Sequence, residues 1–176
     1  MMLRTEPNTK AYDARAVANL ILDLADADGR PLTQVELLKI LYFAHGWYLA
    51  TKNKPLVVQP IEAWKYGPVV KVVRDAFKDF GSRPITNRAE RLVLETGEYQ
   101  RVEPDLSDDD SNFVANIFKQ YKQFGAWELS DFTHEQDSPW DRVWNPKGAQ
   151  GRLGLRIRND EIQAHFLSVA GRGSAH

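Results

Sequence analysis

Apolar residues along this chain fall mostly at helical spacing. Asp13 can cap a first helix in which Val17, Leu20, Ile21 and Leu24 share one face, and Gly29 and Pro31 then end it. Thr33 opens the next helix, and Glu36 completes a capping box with it. Leu37, Leu38, Leu41, Ala44, Trp47 and Tyr48 recur along that helix, with Ile40 and Phe43 widening the apolar face. A face so broad predicts a helix buried on most sides, at the centre of the core. Ser107 begins a further helix to about Phe124, whose stripe is Phe113, Val114, Ile117, Phe118, Tyr121 and Phe124. Asp108, Asp109 and Asp110 complement the positive end of its dipole, and the acidic run from Glu103 to Asp110 reads as a solvated, helix-capping segment.

Between these helices the pattern changes. Pro55 and Pro60 bracket a loop ahead of IEAWKYGPVV. The residue before a proline is disfavoured in helical conformation, so a short helical turn should end near Tyr66 and Gly67. Another helix should then run from Pro68 or Val69 to Phe80, stopped by Gly81. Residues 91–102, RLVLETGEYQRV, alternate apolar and polar around Thr96-Gly97 and predict a small hairpin. After Gly125 a short helix capped by Ser130 is expected, then a short strand at LRIR, and a last helix from Asn159 or Asp160 to about Val169. The expected fold is mainly α: one compact helical domain over residues 13–170 with a small β-hairpin or minor sheet. Residues 1–12 and 171–176 are expected to be flexible ends.

Composition narrows the function. The chain is 43% hydrophobic and 11% aromatic, with five tryptophans and eight phenylalanines, far too many for a disordered chain. Its 23 basic and 24 acidic residues give a net charge of −1, without the basic excess that phosphate neutralisation requires, so stable nucleic-acid binding is not expected. It has no cysteine, which excludes disulfides, thiolate zinc sites and a cysteine nucleophile and fits a reducing compartment. MMLRTEPNTK carries no apolar stretch resembling a signal peptide, and no segment approaches about 18 consecutive apolar residues. A cytoplasmic location is the expectation.

The densest candidate chemistry is SDFTHEQDSPW, residues 130–140. His134, Glu135 and Asp137, with His45 from the central helix, offer metal-ligand chemistry. But adjacent residues on a helix point about 100° apart, so His134 and Glu135 cannot easily share one ion. A zinc-binding HExxH motif would need histidine at 138, where this chain has Ser138. The competing reading is structural: His134 bonds a group near a helix end while Glu135 and Asp137 are solvated. There is no G-x-S-x-G elbow, and GRLGLR matches neither a P-loop nor a dinucleotide fingerprint. No catalytic residue, metal or cofactor is therefore assigned. Trp47, Tyr48, Trp64, Tyr66, Trp127, Trp140 and Trp144 are read as core and loop packing, with exposed ones as interface candidates.

LLKILYFAHGWYLA, IEAWKYGPVVKVVRDAF and LSDFTHEQDSPW, in this order from about Leu37 to Trp140, resemble the Panacea domain. This is the antitoxin family that includes SocA-like proteolytic adaptors and phage-associated GepA-like proteins. The resemblance implies a mainly helical antitoxin that binds and neutralises a toxin encoded beside it, without enzymatic activity. In the SocA-like branch it implies delivery of that toxin to the ClpXP protease, with the ClpX unfoldase as a second partner. It also marks His45, Trp47, Tyr48, Trp64, Lys65, Tyr66, Gly67, Pro68, Val69, His134, Pro139 and Trp140 as family-motif positions, structural or partner-binding. The alternatives are a metal-dependent hydrolase using His45, His134, Glu135 and Asp137, or a DNA-binding autoregulator of its own operon.

Overall fold

The computed structural model describes residues 10–145 and 154–173. Helix α1, Ala14–Ala27, starts where the Asp13 carboxylate accepts the Arg15 N–H, and it buries Val17, Ile21 and Leu22. Helix α2, Gln34–Lys52, carries the expected capping box: Thr33 N–H donates to Glu36 Oε2 at 2.8 Å and Glu36 N–H to Thr33 Oγ1 at 3.4 Å. Every residue from Leu37 to Gly46 is buried. This is the predicted centre of the core, and α1, α4 (Asp108–Tyr121), α5 (Ala126–Thr133) and α7 (Asn159–Gly171) all pack against it. Gly46 lets α7 come close, since a Cβ there would lie 2.1 Å from the Phe166 ring.

Stretch 61–70 differs from expectation. Ile61–Trp64 is strand β1 and Gly67–Val69 is strand β2, antiparallel with Trp64 opposite Gly67, so Lys65 and Tyr66 form a two-residue turn. The expected helical turn is absent because period two governs here: Ile61 and Ala63 are buried, Glu62 and Trp64 half-buried. Pro68 is tolerated because β2 lies at a sheet edge, where a missing N–H costs no ladder bond; the order is β2-β1-β5, with β5 at Arg156–Ile157. Helix α3 therefore begins later, at Lys71, and runs to Phe77 before a 3-10 turn, Lys78–Phe80, that stops at Gly81. The second hairpin, β3 (Glu90–Val93) and β4 (Glu98–Arg101), forms where alternation places it.

Segment 126–144 also differs. It forms two helices, α5 and α6 (Pro139–Trp144). Ser130 lies inside α5, whose N-cap is Gly125; Ser138 is the cap residue, accepting the Asp141 N–H at 3.2 Å with Pro139 in the first turn of α6. Asp137, in left-handed conformation at φ 62°, makes the bend between them. The acidic run is not wholly solvated: Asp110 is buried and accepts hydrogen bonds from Tyr12 Oη at 2.6 Å and Tyr48 Oη at 2.9 Å. Burial opposes ionisation of Asp110, yet the hydroxyls of Tyr12, Tyr48 and Ser107 hold its pKa below the usual carboxylate value. Tyr12, which pattern alone groups with the loose terminus, is thus tied to the core and also bonds the backbone of Leu56 and Val58. The expected flexibility of residues 1–9 and 174–176 lies outside the described residues. No helix among the described residues is long and apolar enough to cross a membrane.

Candidate functional site

The Lys65–Tyr66 turn is where the sequence motifs meet. Trp140 Nε1–H donates to the Trp64 carbonyl at 2.7 Å, and Lys39 Nζ to the Tyr66 carbonyl at 2.5 Å. Gly67 follows at φ +113°, a conformation that side chains rarely adopt, and a Cβ there would stand 2.1 Å from Lys39 Nζ and 2.9 Å from Thr133 Oγ1. The turn is thus fastened from α2 and α6, with Thr133 of α5 close behind Gly67. Lys39 is 2% exposed. It enters no ion pair among the described residues, and burial pushes its ammonium pKa down to about 7. Composition gave no sign of this. The local signal was a lysine inside the otherwise apolar run LLKILYFA.

The cluster at residues 130–140 supports that fastening. His134 Nδ1 lies 2.6 Å from the Ser130 carbonyl, and its ring meets Trp140 edge-on at 4.1 Å. Ser138 Oγ donates to the Thr133 carbonyl at 2.9 Å, closing the end of α5 onto the start of α6. Pro139 and Trp140 are buried behind it.

The remaining motif residues serve packing. His45 is fully buried: its Nδ1 accepts the Val57 N–H at 3.5 Å, so Nε2 carries the proton and donates to Asn159 Oδ1 at 2.9 Å. Burial lowers its pKa, opposed by the Asn159 bond. Trp47 Nε1–H donates to Tyr121 Oη at 2.8 Å, and the Trp47 ring meets Phe166 edge-on. Tyr48 reaches Asp110. The four residues of the metal alternative are not brought together: His45 bonds Asn159 on α7, His134 bonds its own helix, and Glu135 and Asp137 line a separate cleft with Arg142 and Arg172. Among the described residues no group of three or more His, Cys, Asp or Glu is placed to hold a metal ion.

Beside the turn lies a groove of about 350 Å³ between α2, β1–β2 and α3. Val35, Leu38 and Val69 give it an aliphatic lining, alongside Trp64 and Tyr66. Lys65 Nζ stands 5.2 Å from the Tyr66 ring centroid and the Arg74 guanidinium 5.3 Å from that of Trp64. Trp64 is half-buried, its Nε1–H donating to Glu62 at 2.7 Å, whereas Tyr66 is 69% exposed. The stretch Trp64–Val69 therefore divides: Gly67, Pro68 and Val69 are buried, and Lys65 and Tyr66 face solvent. Lys39, Val35 and Arg74 escaped sequence reasoning, and Leu38 was read only as core, because they join this surface only through tertiary packing.

The antitoxin SocA-like, Panacea domain description matches residues 37–141. Antitoxin SocA of Caulobacter vibrioides (strain NA1000 / CB15N) is 38% identical over 157 residues, covering 89% of this chain and 84% of that protein. No solved structure gives a significant match. The matched span runs from the start of the buried part of α2 through the WKYGPV turn to α6, the elements that fasten and flank the groove. The chain belongs to the SocA-like, Panacea-domain family of antitoxins.

Proposed function

We propose that this protein is an antitoxin that binds and neutralises a toxin encoded beside it, acting as a proteolytic adaptor that hands the toxin to ClpXP. The observation that carries the antitoxin reading is its 38% identity, over 89% of the chain, to a protein named Antitoxin SocA. The site geometry supports a binding role: a turn rigidly held from behind presents an exposed aromatic and a cation, the residue types that anchor protein interfaces. An adaptor must contact toxin and unfoldase at once, so it needs two surfaces. Simple sequestration needs one and would protect the toxin, because a bound partner shifts the equilibrium toward the native form. Tethering does the reverse by raising the toxin's effective concentration at the protease.

Two experiments test this. Deleting the gene should inhibit growth while the neighbouring gene is intact and not when that neighbour is also deleted. Viability with the neighbour demonstrably expressed would remove the antitoxin reading. In a reconstituted ClpXP reaction, toxin half-life should shorten when this protein is added. Unchanged or longer half-life would leave a plain binding antitoxin.

A further inference from the structure

The groove beside the Lys65–Tyr66 turn has a chemistry that selects what enters it. We propose that it receives, from the toxin partner, an apolar side chain flanked by a carboxylate; this rests on the antitoxin reading above. The volume of about 350 Å³ lies at the low end of the ~300–1,000 Å³ of ligand clefts, suited to one large side chain and its neighbours. Val35, Leu38 and Val69 supply its aliphatic lining. Tyr66, 69% exposed at the rim, has no hydrogen-bond partner for its hydroxyl among the described residues, so its ring and hydroxyl both face outward. Tyrosines so placed are frequent anchors of binding energy.

Charge specifies the rest. Lys39, Lys65 and Arg74 line the groove, and no carboxylate does among the described residues. The acidic groups on the adjoining elements are engaged: Asp75 binds Lys71 at 2.5 Å and Arg74 at 3.3 Å, and Glu62 accepts the Trp64 indole N–H. Lys65 has no ion-pair partner among the described residues and lies over the Tyr66 ring at the mouth of the groove. A carboxylate brought by the partner would meet this cation with its apolar neighbour seated below. A single-stranded nucleic acid also stacks on aromatics, but its affinity needs a row of cations along the backbone, which a chain of net charge −1 with one small groove does not supply.

The test is calorimetric titration with the purified product of the neighbouring gene. Tyr66→Ala and Lys65→Glu should each raise Kd by more than about tenfold, the Lys65→Glu effect shrinking as salt is raised. Both side chains are exposed, so unchanged melting temperatures check folding. Tyr99→Ala, removing another tyrosine that is 69% exposed, is the control and should leave Kd unaltered. A benzoylphenylalanine photo-crosslinker in place of Tyr66 should capture a toxin segment in which an apolar residue adjoins Asp or Glu. Unaltered Kd in both groove variants, tighter binding by Lys65→Glu, or capture of a basic segment would overturn the inference while leaving the antitoxin reading intact. Absence of any binding by the wild type would remove the antitoxin reading and the inference with it. Anisotropy with fluorescein-labelled oligothymidine covers the other class: binding lost in Tyr66→Ala, with toxin Kd unaltered, would reassign the groove to nucleic acid.

Discussion

Ile61–Val69 and Glu90–Arg101 are both antiparallel hairpins with a positive-φ glycine, Gly67 at +113° just after the first turn and Gly97 at +70° within the second. They are fastened at opposite ends. The β1–β2 turn is clamped by Lys39 and Trp140, and β1 gains a third strand in β5. The β3–β4 turn stands in solvent, with Leu94 84% exposed and Tyr99 69% exposed, and this hairpin is held at its feet. There Asn19, fully buried on α1, donates to the carbonyls of Ala89 at 3.0 Å and Val102 at 2.8 Å and accepts the Ala89 N–H at 2.8 Å. Arg88 and Arg101 add ion pairs to Asp23 on α1. A clamped turn presents its side chains in one geometry, which a binding surface needs. A turn held only through its feet does not.

The largest expected effect breaks the clamp. Trp140→Ala removes a buried ring from the core and leaves the Trp64 carbonyl without its donor, so it should cost about 3–5 kcal/mol by denaturant melting. Trp140→Phe keeps most of the ring volume and loses the N–H, and should cost about 1–2 kcal/mol. Equal losses in the two variants would mean that the hydrogen bond, and not the packing, holds the turn.

The glycines sharpen the contrast. Gly67→Ala combines an unfavourable φ with a Cβ 2.1 Å from Lys39 Nζ, whereas Gly97→Ala meets nothing within 4 Å. Expected losses are about 3 kcal/mol for the first and about 1 kcal/mol for the second. At the feet of the other hairpin, Asn19→Ala strands buried backbone groups and should cost about 2–3 kcal/mol. If Asn19→Ala proved as mild as Gly97→Ala, the feet would not be the anchor.

The same comparison explains which parts of the fold were readable in the sequence. β3–β4 announces itself because its pairing is local: alternation on both sides of Thr96-Gly97 needs no other element. The caps Asp13, Thr33 and Ser107 were legible for the same reason, each bonding within its own first turn. β1–β2 was misread as helical because its stability comes from α2, α6 and β5, distant in sequence, and because Pro68 looks like a breaker until β2 is known to be an edge. The motif residues were legible through family resemblance. Arg74 was not, since nothing local distinguishes it from other cations on a helix, and Lys39 stood out only as a lysine within the apolar run LLKILYFA, which does not say what it bonds.

Lys39 makes the clamp pH-dependent. Its folded-state pKa, about 7, lies below the unfolded value near 10.5, so the unfolded chain binds the extra proton between those values. Stability therefore rises with pH across this window, as the cost of a buried charge is relieved, and the full cost applies below pH 7. Between pH 7 and pH 9 the wild type should gain about 2 kcal/mol relative to Lys39→Met. The variant also loses the bond to Tyr66, but that loss does not vary with pH, so the slope and not the offset is the readout. Parallel curves would place the Lys39 ammonium in contact with water.

The smallest effect is expected at the other turn. Leu92 and Tyr99 face each other across β3–β4, 45% and 69% exposed, and a cross-strand pair of this kind contributes roughly 0.2–1 kcal/mol. Tyr99→Ala should thus shift global stability by less than about 0.5 kcal/mol, because the hairpin can fray from its turn while Asn19 keeps its feet in place. Hydrogen exchange separates this fraying from unfolding. Amides paired within β3–β4 should exchange through local opening, and the Tyr99→Ala change should accelerate them further. The Leu155-bonded Ala63 amide in β1 should instead exchange near the global limit, since freeing it means breaking the sheet behind the clamp. Equal protection in the two hairpins would show that β3–β4 is covered in solution, and the division into a presented turn and a tethered arm would then have to be redrawn.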